Sequence, residues 1–405
     1  MKRTYFTRPK DVWRLAVVLV AASLLVVGVW WARREGLALP LISPSPMATP
    51  LASSPTPVPS PVAIAATAWV QGLVVPWGLV FTSDTRALVT ERAGRVRIIE
   101  EGKLQSAPLL TLSDVSSVSE GGLMGIAKDP AYATNKLVYM CYAYKSGGAY
   151  RDKVVRFEDR GTSAGPFTTI IDGIPAAANH AGCRLGFGPA NGKLYITTGD
   201  ASQRAQAQVL SSLGGKILRV NPDGSIPADN PYTGSPVWTL GHRNPQGIAW
   251  QPGTGNLYAS EHGPSGWDGS PGGDEVNLIT RGANYGWPVV SHDKTDPKYA
   301  SPLRVYTPAI APGGITFYDA DLIPQLKGHL LITGLAGTGL YDLVVGTNGS
   351  VTSSTKMPEL NVGRLRDVVT GPDGALYILT SNRDGRGTVR AGDDTIYRLA
   401  PLTGR

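Results

Sequence analysis

The sequence predicts an all-β protein, a six-bladed β-propeller that is preceded by an N-terminal transmembrane helix and a Pro-rich linker. Three observations support this prediction: a strand motif that recurs along the chain, no amphipathic helix pattern of convincing length between the copies, and one long uncharged apolar stretch near the start. The 405 residues include 49 Gly and 32 Pro, and only 17% are charged. This composition is typical of a large, folded, turn-rich protein.

The first 36 residues are predicted to form a cytoplasmic tail and a membrane anchor. Residues 15–32 are eighteen residues without a charge and end in Trp30 and Trp31. Such a run can just span a bilayer, and Trp favours its interface. Five basic residues precede the run and two follow it, so the positive-inside rule predicts an extracytoplasmic remainder. A cleaved signal peptide is the alternative, but the length of the run and the pair Arg33 and Arg34 favour an uncleaved anchor.

Residues 37–64 are predicted to be an extended linker, because they are rich in Pro, Ser, Thr and Ala and carry no charge. The propeller domain is predicted to span residues 65–405. Residues 1–35 carry +5 of the formal net charge of +7. The basic excess therefore lies beside the apolar segment and not on a folded face, so no nucleic-acid partner is expected.

A recurring motif predicts the propeller. Each clear copy contains Pro, a short turn with Gly, then Leu-Tyr and an alternating strand. The clear copies are residues 189–196, 252–259 and 372–378, and looser copies start near residues 86, 136 and 328. The spacing between copies is typical of repeat proteins and of propeller blades. Each unit also contains a second strand in which apolar and polar residues alternate. Six units of about four strands predict six blades.

Cys141 and Cys183 are the only cysteines of the chain. Each lies in or beside an apolar strand pattern, and an oxidising extracytoplasmic compartment would permit a disulfide. Two buried free thiols are the alternative that the sequence leaves open.

Polar clusters stand where the repeats leave their strands. The densest is residues 240–250, where Arg243, Asn244 and Gln246 lead directly into a strand. Taken alone, such a segment could be a polar turn whose side chains form hydrogen bonds with otherwise unpaired backbone groups. In a propeller, however, the loops at one end of every blade converge on the central channel, so distant residues can share one pocket. The other clusters lie near residues 179–184, 199–200, 261–264, 274–275 and 363–367.

These clusters resemble the motifs of the soluble PQQ-dependent glucose and aldose sugar dehydrogenases. The similar strings are residues 179–185, 241–247, 261–264, 274–278, 282–288 and 364–368. They keep the family's order, and the likeness covers about residues 70–400. Six such motifs in order, on a chain that independently predicts a six-bladed propeller, indicate the family far better than any one string does.

The resemblance implies oxidation of an aldose at its anomeric carbon, with hydride passing to PQQ. His180 would be the base that removes the hydroxyl proton, since a neutral imidazole works near its own pKa. Asp200 would orient that base, and Arg243 would supply a cation where negative charge develops. The resemblance further assigns Glu120 to the substrate and the following residues to the cofactor: Arg184, Asn244, Gln246, Ala311, Arg364 and Arg366.

Calcium is the second cofactor that the resemblance implies. The main-chain oxygens of Gly263 and Pro264 would hold one Ca²⁺ beside PQQ, since Ca²⁺ accepts backbone carbonyls as ligands. Glu275 and Tyr285 match contributors to a second, structural ion. A solvated acidic loop over residues 268–275 is the alternative interpretation.

Two positions depart from the family's pattern. Ala336 stands where family members have a cofactor-contacting Lys, and Glu120 stands where a Gln usually precedes the turn near the substrate. The expected consequences are weaker PQQ affinity and an altered substrate preference.

Two other function classes remain open at this stage. One is a non-catalytic ligand-binding propeller. The other is a Ca-dependent propeller lactonase, which would not need Arg364 and Arg366. The expected partners of a dehydrogenase are an aldose sugar, the membrane through the N-terminal helix, and a separate electron acceptor, either a quinone or a cytochrome, because the chain has no Cys-x-x-Cys-His haem motif.

Overall fold

The computed structural model describes residues 61–402, which form six antiparallel sheets arranged as the blades of a β-propeller. The predicted tail, the predicted anchor (residues 15–32) and most of the predicted linker lie outside the described residues. Within residues 61–402, no helix is both long enough and apolar enough to cross a membrane. The prediction of an all-β six-bladed propeller is confirmed.

The strands follow one another blade by blade. Strand β1 (Ile64–Val70) precedes blade 1, which contains β2 (Pro76–Phe81), β3 (Arg86–Glu91), β4 (Arg95–Glu100), β5 (Lys103–Leu104) and β6 (Leu110–Thr111). Blade 2 contains β7 (Leu123–Lys128), β8 (Leu137–Ser146), β9 (Ala149–Glu158) and β10 (Thr168–Pro175). Blade 3 contains β11 (Gly182–Phe187), β12 (Leu194–Thr198), β13 (Lys216–Val220) and β14 (Val237–Leu240).

The remaining blades repeat this arrangement. Blade 4 contains β15 (Pro245–Trp250), β16 (Leu257–Glu261), β17 (Asp274–Ile279) and β18 (Arg304–Tyr306). Blade 5 contains β19 (Pro312–Phe317), β20 (Leu330–Gly334), β21 (Gly339–Val345) and β22 (Val351–Lys356). Blade 6 contains β23 (Leu365–Thr370), β24 (Leu376–Thr380) and β25 (Ile396–Pro401), together with β1. A short helix α1 (Tyr132–Asn135) and two 3₁₀ turns (Arg204–Gln208 and Pro324–Leu326) lie between strands.

The two ends of the propeller domain meet in blade 6. Strand β1 pairs antiparallel with β25, so that Ile64 lies opposite Pro401. The amide of Leu402 also donates to the carbonyl of Ala63 at 2.8 Å. The outer strand of the last blade therefore comes from the start of the domain, so both ends of the domain are fixed in one sheet and the ring is closed there.

The recurring Leu-Tyr motif marks the second strand of a blade. Strands β12, β16 and β24 all begin with Leu-Tyr, and every residue of each is buried. The second strand of a blade pairs with a strand on either side, and a neighbouring blade packs against each of its two faces. Side chains that point to either face are therefore buried. This position explains why the motif is the clearest repeat in the sequence.

A disulfide joins Cys141 in β8 to Cys183 in β11, with their Cα atoms 5.7 Å apart. Both residues are buried. The bond therefore links blade 2 to blade 3 in their shared hydrophobic core and decides between the two alternatives that the sequence left open. Closing a chain segment of this length stabilises a fold by about 2–4 kcal/mol.

The candidate site residues gather at one end of the central channel. The six innermost strands are β2, β7, β11, β15, β19 and β23. Because neighbouring strands are antiparallel, the start of each innermost strand lies at the same end as the finish of its second strand. His180, Arg243 and Arg364 stand just before β11, β15 and β23, and Asp200 stands just after β12. The topology thus brings these distant residues together.

Candidate active site

The core of the site is a buried pair formed by His180 and Asp200. Nδ1 of His180 lies 2.7 Å from Oδ1 of Asp200, and Nε1 of Trp287 donates to Oδ2 of Asp200 at 2.8 Å. The carboxylate is fully buried, and His180 is only 4% exposed. An Nδ1–H that donates to a carboxylate leaves Nε2 as the lone-pair nitrogen. The arrangement therefore presents a base with one defined tautomer and ring orientation.

Backbone geometry explains why a glycine precedes Asp200. His180 has φ +61°, in the left-handed region, and its carbonyl oxygen would lie 1.8 Å from a Cβ placed on Gly199. Only glycine permits this contact between the two loops. Oε2 of Glu120 accepts a hydrogen bond from the amide of His180 at 3.2 Å. The backbone of His180 is thus fixed by its close contact with Gly199 and by its hydrogen bond to Glu120.

Arg243 is a fixed and compensated cation. Its Nε donates to Oδ2 of Asp268 at 2.7 Å, and its other nitrogens donate to the His262 carbonyl at 3.1 Å and the Ser265 hydroxyl at 3.0 Å. Arg243 and Asp268 are both at least 96% buried. Asp268 is therefore not part of a solvated loop, as the alternative interpretation of residues 268–275 would require. Its partnership with Arg243 left no signal in the sequence, because two separate loops make it.

Two further arginines, Arg184 and Arg366, lie near the ring of Trp77, at 4.2 and 5.5 Å from its centroid. Arg184 pairs with Oδ1 of Asp367 at 3.0 Å. In contrast, Arg366 donates to the side-chain oxygen of Gln246 at 2.6 Å and, within residues 61–402, has no carboxylate in ion-pair range. Burial lowers the pKa of the Arg366 guanidinium to about 10. Its positive charge is therefore the least compensated one at the site.

Three of the expected cofactor residues each keep a buried donor without a partner. Within residues 61–402, Nη2 of Arg184, Nδ2 of Asn244 and Nε of Arg366 have no hydrogen-bond acceptor. An unsatisfied buried donor typically costs about 1–3 kcal/mol, and most proteins avoid it. Three such donors at one end of one channel fit a polar, anionic ligand that would accept from them.

Arg364 differs from Arg366, although the sequence suggests a matched pair. Arg364 precedes β23, and its Nε and Nη2 both lie 2.9 Å from Oδ2 of Asp384. Its Nη1 donates to the carbonyl of Leu335 at 3.2 Å, beside the position of Ala336. Asp384 therefore neutralises Arg364 in this structure, while Arg366 keeps its charge available.

Glu120 lies between the base and the outer rim of the site. Its Oε1 accepts from Arg386 at 2.9 Å, while Oε2 accepts from the amide of His180. Burial would raise the pKa of the Glu120 carboxyl, but the neighbouring His262 and Arg386 lower it to about 2. The side chain is therefore an ionised acceptor at working pH. The sequence marked Glu120 but not Arg386, which reaches it across 266 positions.

Asp274 holds the loops that carry Ala311 and Gly263. Its Oδ1 accepts from the amide of Gly263 at 2.8 Å, and its Oδ2 accepts from the amide of Ala311 at 2.7 Å. Ala311 has φ +50°, a conformation that these contacts help to maintain. The structure therefore brings these two expected site residues to one buried carboxylate that sequence reasoning had not given a role.

The four residues expected to bind calcium line one small cavity. Gly263, Pro264, Glu275 and Tyr285 all face it, together with Glu261. Burial and then the charge of Glu261 raise the pKa of the Glu275 carboxyl to about 8. Both carboxylate oxygens of Glu261 are already engaged, by Nδ1 of His242 and by the amide of Arg243. The oxygen donors left for Ca²⁺ are therefore the Glu275 carboxylate and the nearby backbone carbonyls.

Other observations limit that assignment. The hydroxyl of Tyr285 already donates to the carbonyl of Leu278 at 2.5 Å and accepts from the amide of Thr280 at 2.9 Å. The described part of the chain also contains no group of three or more His, Cys, Asp or Glu side chains arranged to hold a metal. Any ion at this cavity would therefore depend on main-chain oxygens as well as on Glu275.

Comparison with known proteins agrees with this geometry. The family model for glucose/sorbosone dehydrogenases matches residues 73–396. The aldose sugar dehydrogenase of Escherichia coli is 33% identical over 335 residues, which cover 76% of this chain and 88% of that protein. Quinoprotein glucose dehydrogenase B of Acinetobacter calcoaceticus is 31% identical over 420 residues, covering 79% and 85% of the two chains. The PQQ-bound structure of aldose sugar dehydrogenase from Streptomyces coelicolor has a TM-score of 0.73 and 33% identity, and the match covers 84% of this chain and 99% of that one.

The six-bladed propeller, the family match and the relatives named as sugar dehydrogenases together indicate the class of propeller oxidoreductases. More specifically, the chain belongs to the glucose/sorbosone dehydrogenase family.

Proposed function

We propose that this chain is a PQQ- and Ca-dependent aldose sugar dehydrogenase that oxidises the anomeric carbon of an aldose to a lactone. The observation that carries the proposal is the set of three buried, unpartnered donors on Arg184, Asn244 and Arg366. These donors suit the carboxylates and carbonyls of PQQ, and the relatives named as quinoprotein or PQQ-bound enzymes support the same cofactor. Bound PQQ would supply the electron sink that accepts hydride from the sugar.

His180 acts as the base in this proposal. Lactone formation removes a hydride from C1 and a proton from the hydroxyl on C1, and Nε2 of His180 takes the proton. Asp200 keeps Nδ1 protonated and stabilises the imidazolium that results, while Trp287 holds the carboxylate in place. Burial of this pair excludes bulk water from the proton transfer.

Arg243 and Arg366 provide fixed positive charge at the end of the channel. Asp268 neutralises the charge of Arg243, so Arg243 contributes directed N–H groups more than net positive charge. Arg366 contributes net charge, and Gln246 orients its guanidinium. With Ala336 in place of the usual Lys, Arg366 is the main cation that would hold an anionic cofactor.

Gly263 and Pro264 would hold one Ca²⁺ through their main-chain oxygens, and Glu275 and Tyr285 would contribute to a second ion. Ca²⁺ would supply positive charge that polarises the cofactor. The Glu275 carboxylate beside the main-chain oxygens of Gly263 and Pro264 supports an oxygen-donor site for Ca²⁺ at this cavity. By contrast, Asp268, Asp367 and Asp384 are each paired with an arginine, which disfavours a lactonase built on a ring of free carboxylates.

The proposed setting is extracytoplasmic. The N-terminal segment would anchor residues 65–405 to the membrane, and electrons would pass from the domain to a separate quinone or cytochrome. The disulfide between Cys141 and Cys183 supports an oxidising compartment.

The test of this function compares two histidine variants. His180→Ala should leave PQQ binding nearly intact but lower the rate of aldose-dependent dye reduction by about 10²–10⁴, the usual contribution of a general base. His329→Ala is the matched control, because Nδ1 of His329 also lies 2.8 Å from a carboxylate, that of Asp342, at the other end of the propeller. The control should retain full turnover. Equal activity in His180→Ala and the parent would remove His180 from the mechanism.

A further inference from the structure

Lys216 is a fully buried lysine that the proposed mechanism does not use. It is the first residue of β13, and none of its surface is accessible. Its Nζ donates to the main-chain carbonyls of Gly214, Gln206 and Ala207 at 2.7, 2.8 and 3.0 Å. Within residues 61–402, no charged group compensates its ammonium. A buried cation without a counterion is costly, so these three carbonyls are the groups that stabilise its charge.

The three carbonyls belong to the loop that joins β12 to β13, residues 199–215, which begins with Gly199 and Asp200. Gly215 closes this loop, because its amide donates to the carbonyl of Gly199 at 2.7 Å. It has φ +67°, and a Cβ placed on it would lie 2.6 Å from the carbonyl oxygen of His242. Only glycine permits this approach. Lys216 therefore stands where the two ends of the 199–215 loop meet.

The 199–215 loop supports Arg243 in two ways. Nη1 of Arg204 donates to the carbonyl of Asp268 at 2.9 Å, and Asp268 is the ion-pair partner of Arg243. The carbonyl of Ala207, which binds the ammonium, also accepts from the amide of Gly241 at 2.9 Å, two residues before Arg243. The ammonium thus fixes a loop that contacts both the backbone leading to Arg243 and its counterion.

The same loop supports the carboxylate beside the base. Nε2 of Gln208 donates to the carbonyl of Trp287 at 2.7 Å, and the indole of Trp287 donates to Asp200. Gln208 directly follows the two residues whose carbonyls bind the ammonium in the 3₁₀ turn. A displacement of this turn would therefore reach Asp200 through Trp287.

We propose that Lys216 is a positioning residue for the oxidation: its ammonium fixes the 199–215 loop, which keeps Asp200 and Arg243 aligned, and loss of its proton slows the reaction without unfolding the domain. This inference rests on the proposed dehydrogenase function. An ammonium has three N–H donors, one for each carbonyl. A neutral amine has two and turns a lone pair toward the third oxygen, so deprotonation releases one of the three carbonyls.

The proton of Lys216 is lost in a pH range that assays can reach. Burial lowers the pKa of its ammonium to about 7. The charged or titratable side chains on the segments around it each bind another group: Asp200 binds His180, Arg204 the carbonyl of Asp268, His242 the carboxylate of Glu261, and Arg243 that of Asp268. A comparison with a variant that lacks only the ammonium separates its titration from theirs.

The first experiment measures kcat and KM of the full-length protein loaded with PQQ and Ca²⁺ from pH 6 to pH 9. Lys216→Met keeps the length of the side chain without its charge. At pH 6 it should lower kcat about ten- to hundredfold, the effect of a small misplacement of catalytic groups, and change the aldose KM little. The ratio of parent kcat to variant kcat should then fall toward pH 9, with a midpoint near pH 7. A ratio that is the same at every pH would overturn the proposal.

Lys193→Met is the matched control. Lys193 also lies in blade 3, just before β12 at the opposite end of the propeller, and its Nζ donates to the side chain of Asn221 at 2.6 Å. The control should keep the kcat and the pH profile of the parent. The same loss in Lys193→Met would contradict the proposal, because the effect would then not depend on the 199–215 loop.

Hydrogen exchange separates this inference from the proposed catalytic function. Amide exchange of residues 203–215 is measured by mass spectrometry in the full-length protein without PQQ and corrected for the intrinsic effect of pH. Protection of this segment in the parent should fall from pH 6 to pH 9 while circular dichroism stays the same, and Lys216→Met should be less protected at pH 6. This pattern without any dye reduction in the loaded protein would support the loop-fixing role and contradict the dehydrogenase function. Equal protection of the parent at both pH values would overturn the proposal even if the variant does not fold.

Discussion

Four arginines at the end of the channel are compensated unequally by carboxylates. Asp268, Asp367 and Asp384 neutralise Arg243, Arg184 and Arg364 in turn. Arg366 has an amide oxygen as its side-chain partner, and its Nε is unsatisfied within the described residues. A buried cation without a counterion is unstable on its own, so this position gains most from an anionic ligand.

The first prediction at this scale concerns Arg366. Because charge-assisted hydrogen bonds contribute about 1.5–3 kcal/mol each, Arg366→Ala should raise the PQQ concentration for half-activation by at least about tenfold. Ala336→Lys in that variant should recover part of the loss by restoring a cation near the site. PQQ titrations at saturating Ca²⁺ measure both effects.

Arg398→Ala is the control for that experiment. Arg398 forms a half-exposed ion pair with Asp373 on blade 6, and pairs of this kind contribute little. The control should titrate like the parent. Arg366→Ala binding PQQ as tightly as the parent would show that the uncompensated charge serves the fold and not a cofactor.

Residue types and order in the sequence predicted most of the polar groups that gather at the site, including His180, Asp200 and Arg243. The sequence did not predict Asp268, Asp274 or Arg386 as their partners. The contacts of Asp274 with Ala311 and of Arg386 with Glu120 join different blades, and no sequence spacing is shared by residues that meet only after the ring closes. Arg243 and Asp268 lie in two loops of one blade, but no motif links those two loops. The matched Arg364 and Arg366 pattern likewise concealed that one of them has a counterion.

At the scale of elements, the strands were predictable to different degrees. The second strands, such as β12 and β24, are covered on both faces, so their apolar Leu-Tyr pattern is regular. The outer strands are less regular. Strand β5 has two residues, and β22 is mostly exposed with polar side chains. An edge strand in water is under little constraint to keep an apolar pattern, and this explains why the sequence predicted the number of blades better than their outer boundaries.

Strand β9 carries a group that should make stability depend on pH. Asp152 is fully buried, and neither of its carboxylate oxygens has a partner within residues 61–402. Burial raises the pKa of the Asp152 carboxyl well above its ordinary value. The folded protein therefore keeps this proton at pH values where the unfolded chain, with a pKa near 3.9, has lost it. The stabilising contribution is complete at low pH and decreases as pH rises above about 4.

The prediction concerns Asp152→Asn, which removes the titration but keeps a polar side chain of similar size. Urea unfolding at pH 5 and pH 8 should show the variant gaining stability relative to the parent as pH rises. The maximum slope for one proton is about 1.4 kcal/mol per pH unit. A difference between variant and parent that is the same at both pH values would show that Asp152 does not hold a proton in the folded state.

At the scale of the molecule, ring closure by β1 determines where the domain begins. Besides the pairing of Ile64 with Pro401, the amide of Val62 donates to the side chain of Gln325 at 3.2 Å. The linker composition of residues 37–64 gave no sign of these contacts, because Pro, Ala and Val suit an edge strand as well as a linker.

This closure predicts different outcomes for two truncations. Removing residues 1–60 should give a soluble domain with undiminished turnover, since the complete ring is retained. Removing residues 1–72 deletes β1 and exposes β25, so thermal stability should fall strongly and aggregation should increase. Thermal unfolding and dye reduction measure both variants. Loss of folding in the shorter truncation would show that the N-terminal segment is part of the folded domain.

The measurement that tests the central claim most directly is a PQQ titration of the metal-stripped protein, with and without Ca²⁺, followed by absorbance and by aldose-dependent dye reduction. We expect saturable PQQ binding with about one cofactor per chain, activity only when PQQ and Ca²⁺ are both present, and dye reduction that requires an aldose. Absence of saturable PQQ binding at any Ca²⁺ concentration would contradict the account, because the unpartnered donors of Arg184, Asn244 and Arg366 would then serve some other ligand.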